Sequence, residues 1–207
     1  MTIVKICGIT NLKDALLSIE AGADALGFNF YAQSPRFINP QSARRIIQQL
    51  PASVLTVGVF VNEESPHAVE SIARDAGVAA VQLHGDESAA FCRDLSKLFV
   101  IKALAVDATF NPHMATEYEV DAILLDAFDR KLRGGTGQVI DWSLASKTRE
   151  SVPKLFLAGG LSAENVTRAI AEVRPYGVDA CSAVEVEPGK KDGLRVREFV
   201  KAARRQV

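Results

Sequence analysis

The chain has 207 residues, 48% of them hydrophobic and 24% charged, with a formal net charge of −1. It carries enough apolar material for one sizeable core, offers no electrostatic footprint for nucleic acid or anionic membrane, and holds no apolar run long enough to span a bilayer. Its three cysteines are far apart with no CxxC, which fits a reducing, cytoplasmic setting and argues against a disulfide framework or a zinc site.

The N-terminus enters a strand at once, so neither a signal nor a transit peptide is expected. Residues 3–7 read as a short buried strand and Gly8 to Thr10 as the turn after it. Asn11 then caps a helix whose apolar positions Leu12, Ala15, Leu16 and Ile19 recur at helical spacing. Cys7 stands where that strand stops. A free cysteine is often a small core residue, but the rim of a sheet is also where catalytic groups of α/β proteins collect.

Segments 21–27, 76–82, 118–124 and 176–182 echo one another as helix end, tight turn and short apolar strand, roughly every 50 residues. Further apolar strands fall at 3–7, 54–60, 98–102 and 154–158. Helical stretches are predicted over 11–20, 40–50, 66–76, 87–95, 112–118, 142–148, 163–173 and 194–204. Strict βα alternation implies parallel strands with right-handed crossovers. Eight such units close into a (βα)8 TIM barrel, an α/β fold that leaves no free sheet edge. The expectation is a single compact domain over 1–207, with an open doubly wound sheet as the alternative. The basic residues from Arg195 to Arg205 read as a solvated helix face.

Barrel chemistry sits where strands end and helices begin. Those ends are Cys7, Asn29, Phe60, Gln82 with His84, Lys102, Asp126, Ala158 and Ser182. Alternation puts Lys5 and Cys7 on the interior face, and pairs Asp179 with Cys181 and Leu124 with Asp126. Strands one and eight become neighbours on closure, so Lys5 and Asp179 are expected to neutralise each other beneath Cys7. Asp126 is either a turn-capping residue or, converging with Cys7 on one mouth, the acid of an acid–base pair.

Gly159-Gly160 after strand seven, with Ser162 as an expected helix N-cap, and Ser182-Ala183 after strand eight suggest backbone N–H groups that hold a phosphate. The segment 134–137 (GGTG) is a lid or a plain connection; a P-loop is excluded because the Lys-Ser/Thr that should follow is missing. Arg36, after a stiff Pro35, is either solvated or a bidentate carboxylate clamp. The dispersed histidines suggest no metal, and His84 either lines the mouth or supports it. Thiol redox chemistry has little support without a second cysteine near Cys7.

These motifs together resemble the phosphoribosylanthranilate isomerase family. The likeness runs through KICGIT at 5–10, GFNF at 27–30, SPRFI at 34–38, GVFVN at 58–62, VQLHG at 81–85, LLD at 124–126, GGTG at 134–137, AGGL at 158–161 and PGKKD at 188–192. The resemblance implies a cofactor-free and metal-free Amadori rearrangement of a phosphorylated small molecule. It implies Cys7 as general base, Asp126 as general acid and Arg36 as the anthranilate-carboxylate partner. His84, Gly135, Gly159, Gly160, Ser182 and Ala183 are implied to bind substrate, the last four as the phosphate site. A monomer or homodimer is expected. Two positions depart from the family pattern: Ala183 stands where Gly is usual, and Gln138 where Lys often follows the GGxG loop.

Overall fold

The computed structural model describes residues 1–127 and 140–205. Among these residues, strands β1 (Ile3–Ile6), β2 (Ala25–Asn29), β3 (Leu55–Phe60), β4 (Ala80–Leu83), β5 (Phe99–Val106), β6 (Ala122–Ala127), β7 (Leu155–Leu157) and β8 (Gly177–Ala180) close into a parallel barrel in that order. Helices α1 (Leu12–Glu20), α2 (Pro40–Ile47), α3 (Pro66–Ala76), α4 (Ala89–Arg93), α5 (Trp142–Ser151), α6 (Val166–Val173) and α7 (Gly193–Ala203) surround it. The (βα)8 expectation therefore holds, and the open sheet does not. No helix among the described residues is long and apolar enough to cross a membrane.

Local chemistry starts the helices where the strands deliver the chain. Asn11, Asn39, Ser65, Ser88, Asp141 and Asp192 each accept a backbone N–H of the first turn, and each such cap stabilises by about 0.5–2 kcal/mol. Apolar residues divide into two layers. Val57, Ala80, Ile101, Ala103, Ala122, Leu124, Phe156 and Ala158 fill the barrel. A larger set that includes Phe28, Phe60, Leu104 and Phe199 packs the helices onto it.

That division corrects two of the expected rim residues. Phe60 belongs to the outer layer. Lys102 alternates with the inward Ile101 and Ala103, so it points outward. There its Nζ donates to Glu87 Oε2 at 2.8 Å and to the Gly85 carbonyl at 2.7 Å. Neither side chain faces the barrel axis.

Other differences are local. The helix expected over 112–118 is a 3₁₀ turn, Pro112–Glu117, tightened by the Thr116 hydroxyl donating to the His113 carbonyl at 2.7 Å. A two-stranded antiparallel ribbon, β9 (Glu185–Glu187) and β10 (Lys190–Lys191), follows β8 and was not anticipated. It is fastened to α1 where the Lys191 amide donates to the buried Asp14 carboxylate at 2.8 Å. This ribbon brings Glu185 and Lys191 to the mouth of the barrel.

Candidate active site

Parallel register builds the floor of the mouth. β1 pairs with β8 as Lys5↔Asp179 and Ile6↔Ala180, and Lys5 Nζ lies 3.0 Å from Asp179 Oδ1, as expected from closure. The Cys7 amide continues the ladder by donating to the Ala180 carbonyl at 2.9 Å. Cys7 and Cys181 are the residues that follow the last pair, Ile6↔Ala180, on the two strands. Gly27 on β2 makes room for the first of them: a Cβ there would stand 2.6 Å from Cys7 Sγ.

Cys7 is held well below the ordinary thiol range. The largest cause is a hydrogen bond from the Cys181 thiol; burial opposes it, and Lys5, Lys191 and His84 add positive charge. The partner thiol moves the other way: the bond to Cys7 and burial push Cys181 up. Lys191 Nζ donates to the Cys7 carbonyl and lies 4.0 Å from Cys181 Sγ and 2.8 Å from Glu185 Oε1.

The floor pair does not share its charges evenly. Burial works against the Lys5 ammonium, but Asp179 and Cys7 more than offset it, so Lys5 stays charged. Burial, with help from Cys7 and Asp126, pushes the Asp179 carboxyl up to about 7 despite the pull of Lys5. Lys5 thus faces both Asp179 and Cys7, and each of them raises its pKa.

On the other side of the mouth, Asp126 ends β6 with the inward parity of Leu124. One carboxylate oxygen accepts the Ala127 amide at 2.8 Å, and the other lies 3.3 Å from His84 Nε2. The Gln82 amide, assigned with its nitrogen toward the ring, contacts His84 Nδ1 at 2.7 Å. That contact leaves the ring proton on Nε2, aimed at Asp126. His84 thus supports Asp126 while its charge, when present, reaches Cys7.

Arg36 is already in use. Its Nε donates to Glu185 Oε1 and Oε2 at 3.1 and 3.0 Å, and its Nη2 to Oε2 at 2.8 Å. Burial raises the Glu185 carboxyl, but Arg36 and Lys191 outweigh it and keep it below its usual range. The bidentate carboxylate clamp predicted for Arg36 therefore closes on the protein's own Glu185. Nη1 has no hydrogen-bond partner among the described residues.

Gly159 and Gly160 follow β7 with φ of +76° and +65°. A Cβ on Gly159 would stand 2.5 Å from the Ala127 amide nitrogen, so only glycine fits there. Ser162 is not the helix cap: α6 begins later, after Asn165, whose side chain accepts the Ser162 amide and donates to the Gly160 carbonyl, both at 2.9 Å. These bonds hold the loop open for one more turn before the helix starts. Ser182 and Ala183 lie in a 3₁₀ turn, Ser182–Val184. A cavity of about 340 Å³ opens between the two loops, lined by Ser162, Glu164, Ala183, Arg195 and Glu198 among others. Arg195 is exposed, as read from sequence, at the edge of this cavity. Gly135, the rest of segment 134–137 and Gln138 lie outside the described residues.

Three contributors to the mouth escaped the sequence reading: Cys181, Glu185 and Lys191. The inward parity shared by Asp179 and Cys181 was the available signal for the first. The other two arrive on the unforeseen ribbon; Lys191 stands within the PGKKD motif at 188–192, which carried no assigned role.

A closed parallel barrel that gathers thiol, carboxyl and cationic side chains at the carboxyl ends of its strands has the architecture of a (βα)8-barrel enzyme. A family model described as N-(5'phosphoribosyl)anthranilate (PRA) isomerase matches residues 4–202. The chain is 51% identical over 207 residues to the N-(5'-phosphoribosyl)anthranilate isomerase of Thermotoga neapolitana, covering 99% of each. Among solved structures, phosphoribosyl anthranilate isomerase from Thermotoga maritima superposes with a TM-score of 0.90 at 46% identity, over 98% of each chain. A phosphoribosyl anthranilate isomerase in complex with reduced 1-(o-carboxyphenylamino)-1-deoxyribulose 5-phosphate superposes with a TM-score of 0.86 at 46% identity, again over 98% of each. The chain belongs to the N-(5'-phosphoribosyl)anthranilate isomerase family.

Proposed function

We propose that the chain isomerises N-(5-phosphoribosyl)anthranilate to 1-(2-carboxyphenylamino)-1-deoxyribulose 5-phosphate, a step of tryptophan biosynthesis, as a cytoplasmic monomer or homodimer. The observation that carries the residue assignment is the placement of Cys7, a thiol held well below its ordinary range by Cys181, Lys5 and Lys191, in the same mouth as Asp126, which lies 3.3 Å from His84.

Asp126 is the general acid. Its proton goes to the ribose ring oxygen as the bond from that oxygen to C1 breaks, and the anilino nitrogen lone pair closes a Schiff base. Cys7 is the general base: its sulfur takes the C2 proton, and the C–H electron pair forms an enolamine. The enolamine then takes a proton at C1 as the C2 hydroxyl loses one, leaving the ketone. Every step is a proton transfer, so the chemistry asks for an acid and a base and for no redox partner. The phosphate is held by the loops of Gly159, Gly160, Ser182 and Ala183. A methyl group at Ala183 leaves the backbone N–H in place.

Arg36 offers its Nη1 edge to the anthranilate carboxylate, while Glu185 fixes the orientation of the guanidinium. A charge-assisted hydrogen bond of this kind contributes about 1.5–3 kcal/mol, so Arg36→Ala is expected to raise KM by roughly 10–100-fold with a smaller change in kcat. Steady-state kinetics over a range of substrate concentrations measure this. An unchanged KM would remove Arg36 from the substrate site.

The function itself is tested by mixing purified protein with freshly made phosphoribosylanthranilate and following the loss of anthranilate-type fluorescence. No turnover above the spontaneous decay of the substrate would sink the proposal.

A further inference from the structure

We propose that Cys7 and Cys181 form a reversible disulfide, making the mouth of the barrel a thiol-modification site for peroxide-class oxidants that switches the enzyme off. The inference rests on the reading of Cys7 as the catalytic base. Expectation from sequence ran against it, because no second cysteine was placed near Cys7; the register of β1 and β8 supplies one.

The geometry meets the requirements in turn. Lys5↔Asp179 are cross-strand partners whose side chains touch at 3.0 Å, and the Cys7 amide extends the same ladder to Ala180. Cys7 and Cys181 directly follow the last paired rung, Ile6↔Ala180, where β8 gives way to the 3₁₀ turn. Adjacent strands lie about 4.8 Å apart, within the ~4.4–6.8 Å Cα separation that a disulfide spans. Each sulfur packs against a glycine: a Cβ on Gly8 would stand 3.1 Å from Cys181 Sγ, and one on Gly27 2.6 Å from Cys7 Sγ. Both cysteines are partly exposed, whereas Cys92 is buried, and burial raises its thiol out of the reactive range. A low-lying thiolate beside a second thiol is the arrangement that oxidants select.

The step balances with hydrogen peroxide. The Cys7 thiolate attacks one peroxide oxygen, the O–O bond breaks, and hydroxide leaves with the electron pair, so that Cys7 becomes a sulfenic acid. Cys181, whose Sγ lies 4.0 Å from Glu185 Oε1, then attacks the sulfenic sulfur. The S–O bond breaks, and the oxygen leaves as water with the thiol proton. Two thiols are oxidised by two electrons and one peroxide is reduced. A small dithiol reverses the change by thiol–disulfide exchange. The disulfide removes the lone pair that takes the C2 proton.

The test is to titrate the intact enzyme with hydrogen peroxide, following turnover, free thiols and the mass of proteolytic peptides. The expected result is a cross-linked peptide pair containing Cys7 and Cys181, turnover lost in step with two thiols, and both restored by dithiothreitol. Cys92→Ala is expected to cross-link in the same way. In Cys181→Ser, and in Cys181→Ala should the first variant fold poorly, excess peroxide is expected to take Cys7 to the sulfenic acid and, with a second equivalent, on to sulfinic acid, which dithiothreitol does not reverse. A link through Cys92, reversible inactivation in the Cys181 variants, or inactivation of wild type without a cross-link would overturn the switch and leave the base assignment standing. A cross-linked enzyme with undiminished turnover would overturn both.

Discussion

Cys7→Ala is expected to lower kcat by roughly 10²–10⁴-fold, with KM changed much less. The loss corresponds to about 3–5 kcal/mol of transition-state stabilisation at 1.36 kcal/mol per factor of ten. The split follows from the proposed assignment, in which the sulfur meets the C2 proton only during reaction while the phosphate loops and Arg36 hold the substrate throughout. Cys7→Ser is expected to be nearly as poor, because a serine hydroxyl stays protonated across the working pH range. Asp126→Asn is expected to fall in the same interval, and the double variant to lose little more than either single one, since acid and base serve one sequence of proton transfers.

The pH profile separates the two roles. In the wild type, kcat/KM is expected to rise as Cys7 loses its proton, and that limb lies well below the ordinary thiol range because Cys181, Lys5 and Lys191 favour the thiolate. The limb should vanish in Cys7→Ser. Rates in fresh substrate across pH, with fluorescence detection, give both quantities. Near-normal turnover in Cys7→Ser would rule out the assigned base.

How much of this was legible in the sequence depended on how local the cause was. Turn, strand and helix alternation repeats along the chain, and each unit declares itself through a cap or a Gly turn, so the barrel could be read directly. Lys5 and Asp179 were paired correctly because closure makes strands one and eight neighbours and alternation fixes the face. Cys181 needed one further step, the register itself, and without it Cys7 looked solitary. Phe60 was misplaced because standing at the end of a strand does not say which face a residue takes, and Lys102 because β5 runs on past it to Val106. Arg36 and Glu185 are 149 positions apart and meet through a ribbon that follows an irregular 3₁₀ turn, where neither period 2 nor period 3.6 applies. Asn165 displaced Ser162 because a side-chain bond across the loop outcompeted the earlier start.

Beneath the thiol, Lys5→Met and Asp179→Asn are expected to move the activity profile in opposite directions. Removing Lys5 takes away a cation that favours the Cys7 thiolate, so the rising limb of kcat/KM shifts to higher pH. Removing the Asp179 charge leaves Lys5 facing Cys7 alone, and the limb shifts lower. Stability follows a different rule. Stranding one member of a buried pair costs about 3–5 kcal/mol, but a carboxyl can escape part of that cost by taking a proton. The Asp179 carboxyl is raised from 3.8 to about 7 in the folded chain, so the folded state binds this proton more tightly than the unfolded chain does. Its contribution to stability is therefore most favourable below the lower value and falls as pH climbs through that window. Lys5→Met removes the pull that holds Asp179 down, so its penalty should be larger near about pH 8 than near about pH 6. Asp179→Asn should flatten the dependence. Denaturant midpoints at the two pH values, beside the kinetic profiles, decide the matter. Limbs that move together, or a Lys5→Met penalty independent of pH, would mean that the pair is only packing and that the thiolate draws its stabilisation from elsewhere in the mouth.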